Sequence, residues 1–152
     1  MDIKDFLSPG DAIVDVRLAD KARLLQELAE RAAAALNLSA DRIASELRKR
    51  EDLGSTGTGG GVAIPHARMA EVKKPFGLAV RLRQPIDFDA IDGKPVDVVF
   101  LLLLPAAAAG EQLNALASVA RKLRDPASLR RLRRAADGAA LYGAMVQAVG
   151  KE

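Results

Sequence analysis

His66 is the only histidine in a chain of 152 residues that has no cysteine at all, so imidazole nitrogen is the nucleophile to consider first. With an ordinary pKa of about 6.5 it is largely neutral at pH 7, and one ring nitrogen then carries a lone pair able to attack a phosphoryl group. The residues before it suit that chemistry. Five of the twelve glycines fall between Gly54 and Gly61, where the backbone can take positive φ and approach a ligand closely. Phosphoryl transfer asks mainly for alignment and for donors to the equatorial oxygens, because its transition state is loose. Arg50 can offer a bidentate fork, and Ser55 and Thr56 can offer hydroxyls. Each also has a plainer reading. A lone histidine often just packs, an arginine at a helix end often pairs with neighbours such as Glu51 or Asp52, and Ser and Thr beside glycine are ordinary turn residues. Which nitrogen of His66 reacts depends on what holds the other, and a backbone carbonyl of the glycine loop is a suitable holder.

Arg50-Glu51, then Gly54-Ser55-Thr56-Gly57, then Gly60-Gly61-Val62-Ala63-Ile64-Pro65-His66-Ala67 resembles the signature of the fructose/mannitol-type enzyme IIA domains of the bacterial phosphotransferase system. The stretch Phe88 to Asp97 is similar to the nitrogen-regulatory branch, whose members regulate rather than feed sugar transport. The resemblance spans essentially the whole chain, as one type-2 enzyme IIA domain over 1–152. It implies that His66 is phosphorylated, through Nε2, by the phosphohistidine of an HPr-like (NPr) carrier, so that the chain is a phosphotransferase component with a phosphohistidine intermediate. It also implies regulatory protein targets such as transporters or sensor kinases. Members often carry a second active-site histidine where the helix after the long core strand begins. Gln112 stands there, with Asn114 as the alternative alignment. An amide at a helix N-terminus can still donate to a phosphate but cannot become a cation. Helix surface is the plainer reading of both.

Other chemistries are poorly served. The glycine loop lacks the Lys-Ser/Thr ending of a P-loop and precedes a strand instead of following one. No serine sits in Gly-x-Ser-x-Gly, and a single histidine without cysteine argues against a metal site, so neither metal nor cofactor is expected. The first residues lack the pattern of a signal peptide. The longest apolar run, Val98 to Ala109, is too short for the roughly 20 residues of a membrane helix. A cytoplasmic protein with no membrane insertion is expected. Seven of the fourteen residues from Arg121 to Arg134 are basic, yet only 3% of the chain is aromatic, which favours a solvated face, or an acidic protein partner, over nucleic acid.

The elements that must position these residues are legible in outline. Asp2 to Leu7 reads as a short helix ended by Ser8-Pro9-Gly10, and Ile13 to Val16 as a strand. Asp20 caps a helix to Leu36 closed by Asn37, and Ser39 caps a second that delivers Arg50 to the glycine loop. Val62-Ala63-Ile64 is a strand ended by Pro65, leaving His66 at its carboxyl end. Leu78, Val80 and Leu82 alternate with Ala79, Arg81 and Arg83 as in an edge or half-covered strand, whereas Val98 to Leu104 is apolar on both faces and belongs mid-sheet. Gly110 opens a helix with the stripe Leu113, Leu116, Ala117, Ala120 and Leu123, leaving Arg121, Lys122 and Arg124 off it. Asp125-Pro126 starts another, and Asp137 caps a last one with Leu141, Met145 and Val149 inward. The expected fold is α/β, a mixed sheet flanked on both faces by helices.

Three functions stay open at this level: a phosphocarrier that regulates targets by its phosphorylation state, a sugar-specific enzyme IIA that passes phosphate to a IIB domain, and a binding module that is not phosphorylated.

Overall fold

The structure, a computed structural model, describes residues 1–107 and 109–148, the side chains of 111–113 excepted. Six strands form one mixed sheet: β1 (Ala12–Val16), β2 (Gly57–Gly59), β3 (Val62–Ala63), β4 (His66–Met69), β5 (Phe76–Ile86) and β6 (Val96–Pro105). Their order is β1-β5-β6-β3-β2, with β4 also paired to β6. The β5/β6 and β2/β3 pairs are antiparallel, and β1/β5, β3/β6 and β4/β6 are parallel.

β6 is the reference strand, and its continuous apolar run follows from its place. Val99, Leu101 and Leu103 point to one face, under α1 (Lys21–Leu36) and α2 (Ala40–Asp52), where Leu24, Leu28, Ile43 and Leu47 cover them. Val98, Phe100, Leu102 and Leu104 point to the other, under α3 (Glu111–Arg124), α4 (Pro126–Arg134) and α5 (Gly138–Val146). A strand with no wet face cannot alternate polar and apolar residues. Phe6, from the turn after a 3-10 helix at Ile3–Asp5, meets Phe100 edge-on with centroids 6.1 Å apart.

The caps form where their residue types predict. Asp20, Ser39, Asp125 and Asp137 each accept a backbone N–H three residues on. Asn37 closes α1 in the left-handed conformation, φ 57°.

Four expectations need correcting. Pro65 does not leave His66 at the end of a strand. The proline removes a donor, but its carbonyl still accepts from Leu102 N at 2.9 Å, so the chain continues beside β6 and His66 opens β4. β5 is central rather than an edge, flanked by β1 and β6. Its Arg81 is half-buried because Nη1 donates to the Leu132 and Ala135 carbonyls where α4 ends, at 2.9 and 2.7 Å. Among the described side chains of α3, Leu123 is buried and Leu116 and Ala120 pack partly against the core as expected, but Ala115, Val119 and Lys122 are buried too and Ala117 is exposed, and Leu113 lies outside the described side chains. The start of the chain is a single 3-10 turn, shorter than the helix expected from Asp2 to Leu7. Leu141 and Met145 do turn inward, whereas Val149 lies outside the described residues.

Candidate phosphate site at His66

Alternation along β4 turns Ala67 and Met69 into the core and His66 and Arg68 outward, and the end of α2 brings Arg50 to the same place. His66 Nδ1 lies 2.8 Å from the Ile64 carbonyl, and Arg50 Nε lies 3.3 Å from His66 Nε2. A carbonyl can only accept and a guanidinium can only donate, so the proton sits on Nδ1 and the lone pair on Nε2. The imidazole is neutral in this arrangement. Burial holds its pKa below the ordinary 6.5, with Arg50 and Arg68 acting in the same direction, while the Ile64 carbonyl and Glu51 pull the other way. The carbonyl that fixes the tautomer belongs to β3's continuation, not to the glycine loop as the sequence suggested.

Arg50 is itself held, Nη1 donating to the Gly54 carbonyl at 2.9 Å. His66 and Arg50 share a cleft of about 370 Å³ with Glu46, Lys49, Leu53 and Arg68. Leu53, on its rim, is 85% exposed, an apolar side chain left open beside three cations.

The two hydroxyls are engaged by other groups of the protein. Thr56 is buried, and both its N–H (3.0 Å) and its hydroxyl bond to Glu51 Oε1. Ser55 Oγ donates to the Phe88 carbonyl at 3.2 Å and accepts from Gly57 N at 3.0 Å. Both hydroxyls brace the glycine loop, and neither makes a hydrogen bond to His66 or Arg50. Gln112 lies on the first turn of α3 but its side chain is outside the described ones, and Asn114 is exposed.

A residue passed over as a mere neighbour of Arg50 does most to shape the site. Glu51 is 8% exposed, and besides Thr56 it meets Lys21 Nζ at 2.8 Å. That ammonium also lies 4.7 Å above the Phe88 ring. One carboxylate therefore joins the start of α1, the end of α2 and the glycine loop. An Arg-Glu pair at the end of a helix, followed at once by Gly-Ser-Thr-Gly, was the signal available in the sequence. The loop's far side is pinned by Arg133 of α4, whose fork grips Asp97 (2.9 to 3.3 Å) and whose Nη2 also donates to the Gly60 carbonyl at 2.7 Å. Gly61 has φ +83° and abuts Arg133, so a side chain there would be strained and would push the Arg133 guanidinium aside. Among the described residues no group of His, Cys, Asp and Glu is placed to hold a metal ion.

The model of the phosphoenolpyruvate-dependent sugar phosphotransferase system EIIA 2 family matches residues 5–147. The chain belongs to this enzyme IIA family. It is similar to the nitrogen regulatory protein of Bradyrhizobium diazoefficiens, 42% identical over 145 residues and 95% of each chain. It is also similar to that of Pseudomonas aeruginosa, 42% identical over 95% of this chain and 94% of the other. The crystal structure of nitrogen regulatory protein IIA-Ntr from Neisseria meningitidis superposes with a TM-score of 0.89 at 36% identity, covering 94% of this chain and 98% of that one. IIA mannitol from Escherichia coli shares the fold alone, at TM-score 0.71 and 17% identity over 87% of this chain and 94% of that one. The mixed sheet between two helical layers is thus the enzyme IIA fold. Among the described residues no helix is long and apolar enough to cross a membrane.

Proposed function

We propose that this enzyme IIA chain, acting as one domain, is a histidine phosphocarrier of the nitrogen-regulatory kind, which takes a phosphoryl group on His66 Nε2. The observation that carries the reading is the pair of bonds on the imidazole: Ile64 holds the proton on Nδ1, and Arg50 stands at the nitrogen left with the lone pair. In the transfer step Nε2 attacks the phosphorus of a phosphohistidine on an HPr-like (NPr) carrier. The new N–P bond forms as the donor's N–P bond breaks, and the donor imidazole keeps the electron pair. No proton leaves His66, because Nδ1–H stays on the Ile64 carbonyl throughout. Arg50 releases Nε2 and turns its donors to the phosphoryl oxygens, where charge-assisted bonds are strong.

The modification places close to two negative charges among Arg50, Arg68 and Lys49. That reverses the local field beside exposed Leu53, so a protein docked on this rim meets a different surface in the two states. Regulatory targets such as transporters or sensor kinases are the partners this reading implies, in the cytoplasm and without a cofactor. The nitrogen regulatory relatives, alike over nearly the whole chain, support regulation over sugar transport.

The test is intact mass after incubation with phosphoenolpyruvate, enzyme I and the HPr-like carrier. One acid-labile phosphate is expected on the wild type and none on His66→Ala. An unchanged wild type beside a charged carrier would end the reading in favour of an unphosphorylated binding module.

A further inference from the structure

The end of the sheet where β6 begins carries two features that the His66 site does not use. The first is a cleft of about 380 Å³ lined by Arg124, Pro126, Leu129, Arg130, Arg133 and Arg134. All but Arg124 recur at helical spacing on α4, so they form one stripe along a helix of nine residues, roughly 13 Å long. Pro126 is exposed and Leu129 half-buried, which gives the cleft an apolar floor among guanidinium groups. Arg133 grips Asp97 and the Gly60 carbonyl, whereas Arg124, Arg130 and Arg134 are exposed along the rim. Such a cleft suits an occupant that is acidic and apolar together.

The second feature is the loop between β5 and β6. Ile91 stands 78% exposed on it, one of two large apolar side chains left open among the described residues, the other being Leu53 at the His66 cleft. Asp87, Asp89 and Asp92 are exposed around it, with Lys94 as the lone cation from 87 to 95. The loop is firmly held. Ile91 N donates to the Gly57 carbonyl at 3.0 Å, Ser55 Oγ donates to the Phe88 carbonyl, and Phe88 and Ala90 are buried on either side. Ile91 is therefore an apolar knob with an acidic rim, and a knob already fixed in place loses little entropy on docking.

Knob and cleft are neighbours. Gly60 joins them, its carbonyl accepting from Arg133 of the cleft at 2.7 Å and its N–H donating to Asp92 beside the knob at 3.0 Å. A surface with an acidic knob beside a basic cleft is complementary to itself, because a two-fold rotation carries each knob to the other copy's cleft. We propose that this end of the sheet is a docking surface for a second copy of the chain. Ile91 of each protomer sits on Pro126 and Leu129 of the other, and its acidic rim meets Arg124, Arg130 and Arg134. The surface is separate from the phosphate site, since the loop precedes Val96 at the start of β6 while His66 pairs with Leu102 further along that strand.

The experiment is sedimentation velocity of the full chain at about 0.1 M and about 1 M salt, where charges are screened over roughly 10 and 3 Å. A concentration-dependent equilibrium between monomer and dimer is expected, about tenfold or more weaker at the higher salt. Ile91→Lys, which sets a cation against the basic cleft, should be monomeric, and so should the double variant Arg124→Glu/Arg130→Glu. All three positions are exposed, so folding is left intact. An equimolar mixture of the two variants should dimerise again, because the new lysine faces the new glutamates while the other knob and cleft of the pair stay native. A wild type that remains monomeric at hundreds of micromolar in the lower salt overturns the proposal, and leaves the cleft to an acidic segment of another protein. Dimers that persist in either variant alone, or a mixture that stays monomeric, overturn it as well.

Discussion

Among the described residues two charged side chains lie deep, one in each helical layer, and the chain treats them differently. Glu51, at the end of α2, accepts at Oε1 from the Thr56 N–H and hydroxyl and forms an ion pair at Oε2 with Lys21. Lys122, near the end of α3, is answered by nothing within hydrogen-bonding distance and has a second cation for a neighbour. A compensated buried charge ties elements together, because removing it orphans several partners at once. An uncompensated one weakens the fold wherever no ligand meets it. The difference separates the braced glycine loop beside His66 from a helix that buries an ammonium without a hydrogen bond.

The comparison can be broken most forcefully at Glu51. Glu51→Ala strands Lys21 and frees the Thr56 end of the loop, and should cost about 3–5 kcal/mol of unfolding free energy in urea. A loss below about 1 kcal/mol would mean that the carboxylate is a bystander. Lys122→Met should move stability the other way, a gain of ~1 kcal/mol or more, because an apolar chain of similar volume replaces an unpaired ammonium. A clear loss in that variant would show that Lys122 is paired in solution and would remove the contrast between the layers.

The smallest effect is in pH. The folded His66 has a pKa below 6.5, so the unfolded chain binds the extra proton first as pH falls. The contribution of His66 to stability is therefore complete above pH 6.5 and is lost as pH drops from there through the folded value. For the same reason phosphoryl acceptance should persist into mildly acid solution where a free imidazole is already protonated. NMR titration of the His66 ring carbons measures the folded value directly, and a midpoint at or above 6.5 would contradict the neutral, Arg50-facing imidazole described here.

Much of this was legible before any coordinates. The spacing of Arg50 and His66, with the glycine loop between them, pointed to a meeting that the structure brings about. Asp20, Ser39, Asp125 and Asp137 marked helix starts, because a short side chain that can accept the first free N–H groups is a local property. The run Val98 to Leu104 announced a central strand, since only a strand covered on both faces has no use for polar residues. Residue type and near spacing determine such features, and both are written in the chain.

Tertiary structure alone decided the rest. Ser55 and Thr56 read as hydroxyls for a phosphate, and it took the arrival of Phe88 and Glu51 from elsewhere to engage them in bracing the loop. The wet face of β5 is covered in part because α4 ends over Arg81, while Arg83 on the same face stays exposed. Lys122 becomes buried where α3 packs against α4 and against the first turn, the latter more than a hundred residues away in sequence. The side of a helix that faces water is set by every element packed against it, and periodicity along one helix records only the strongest of those neighbours.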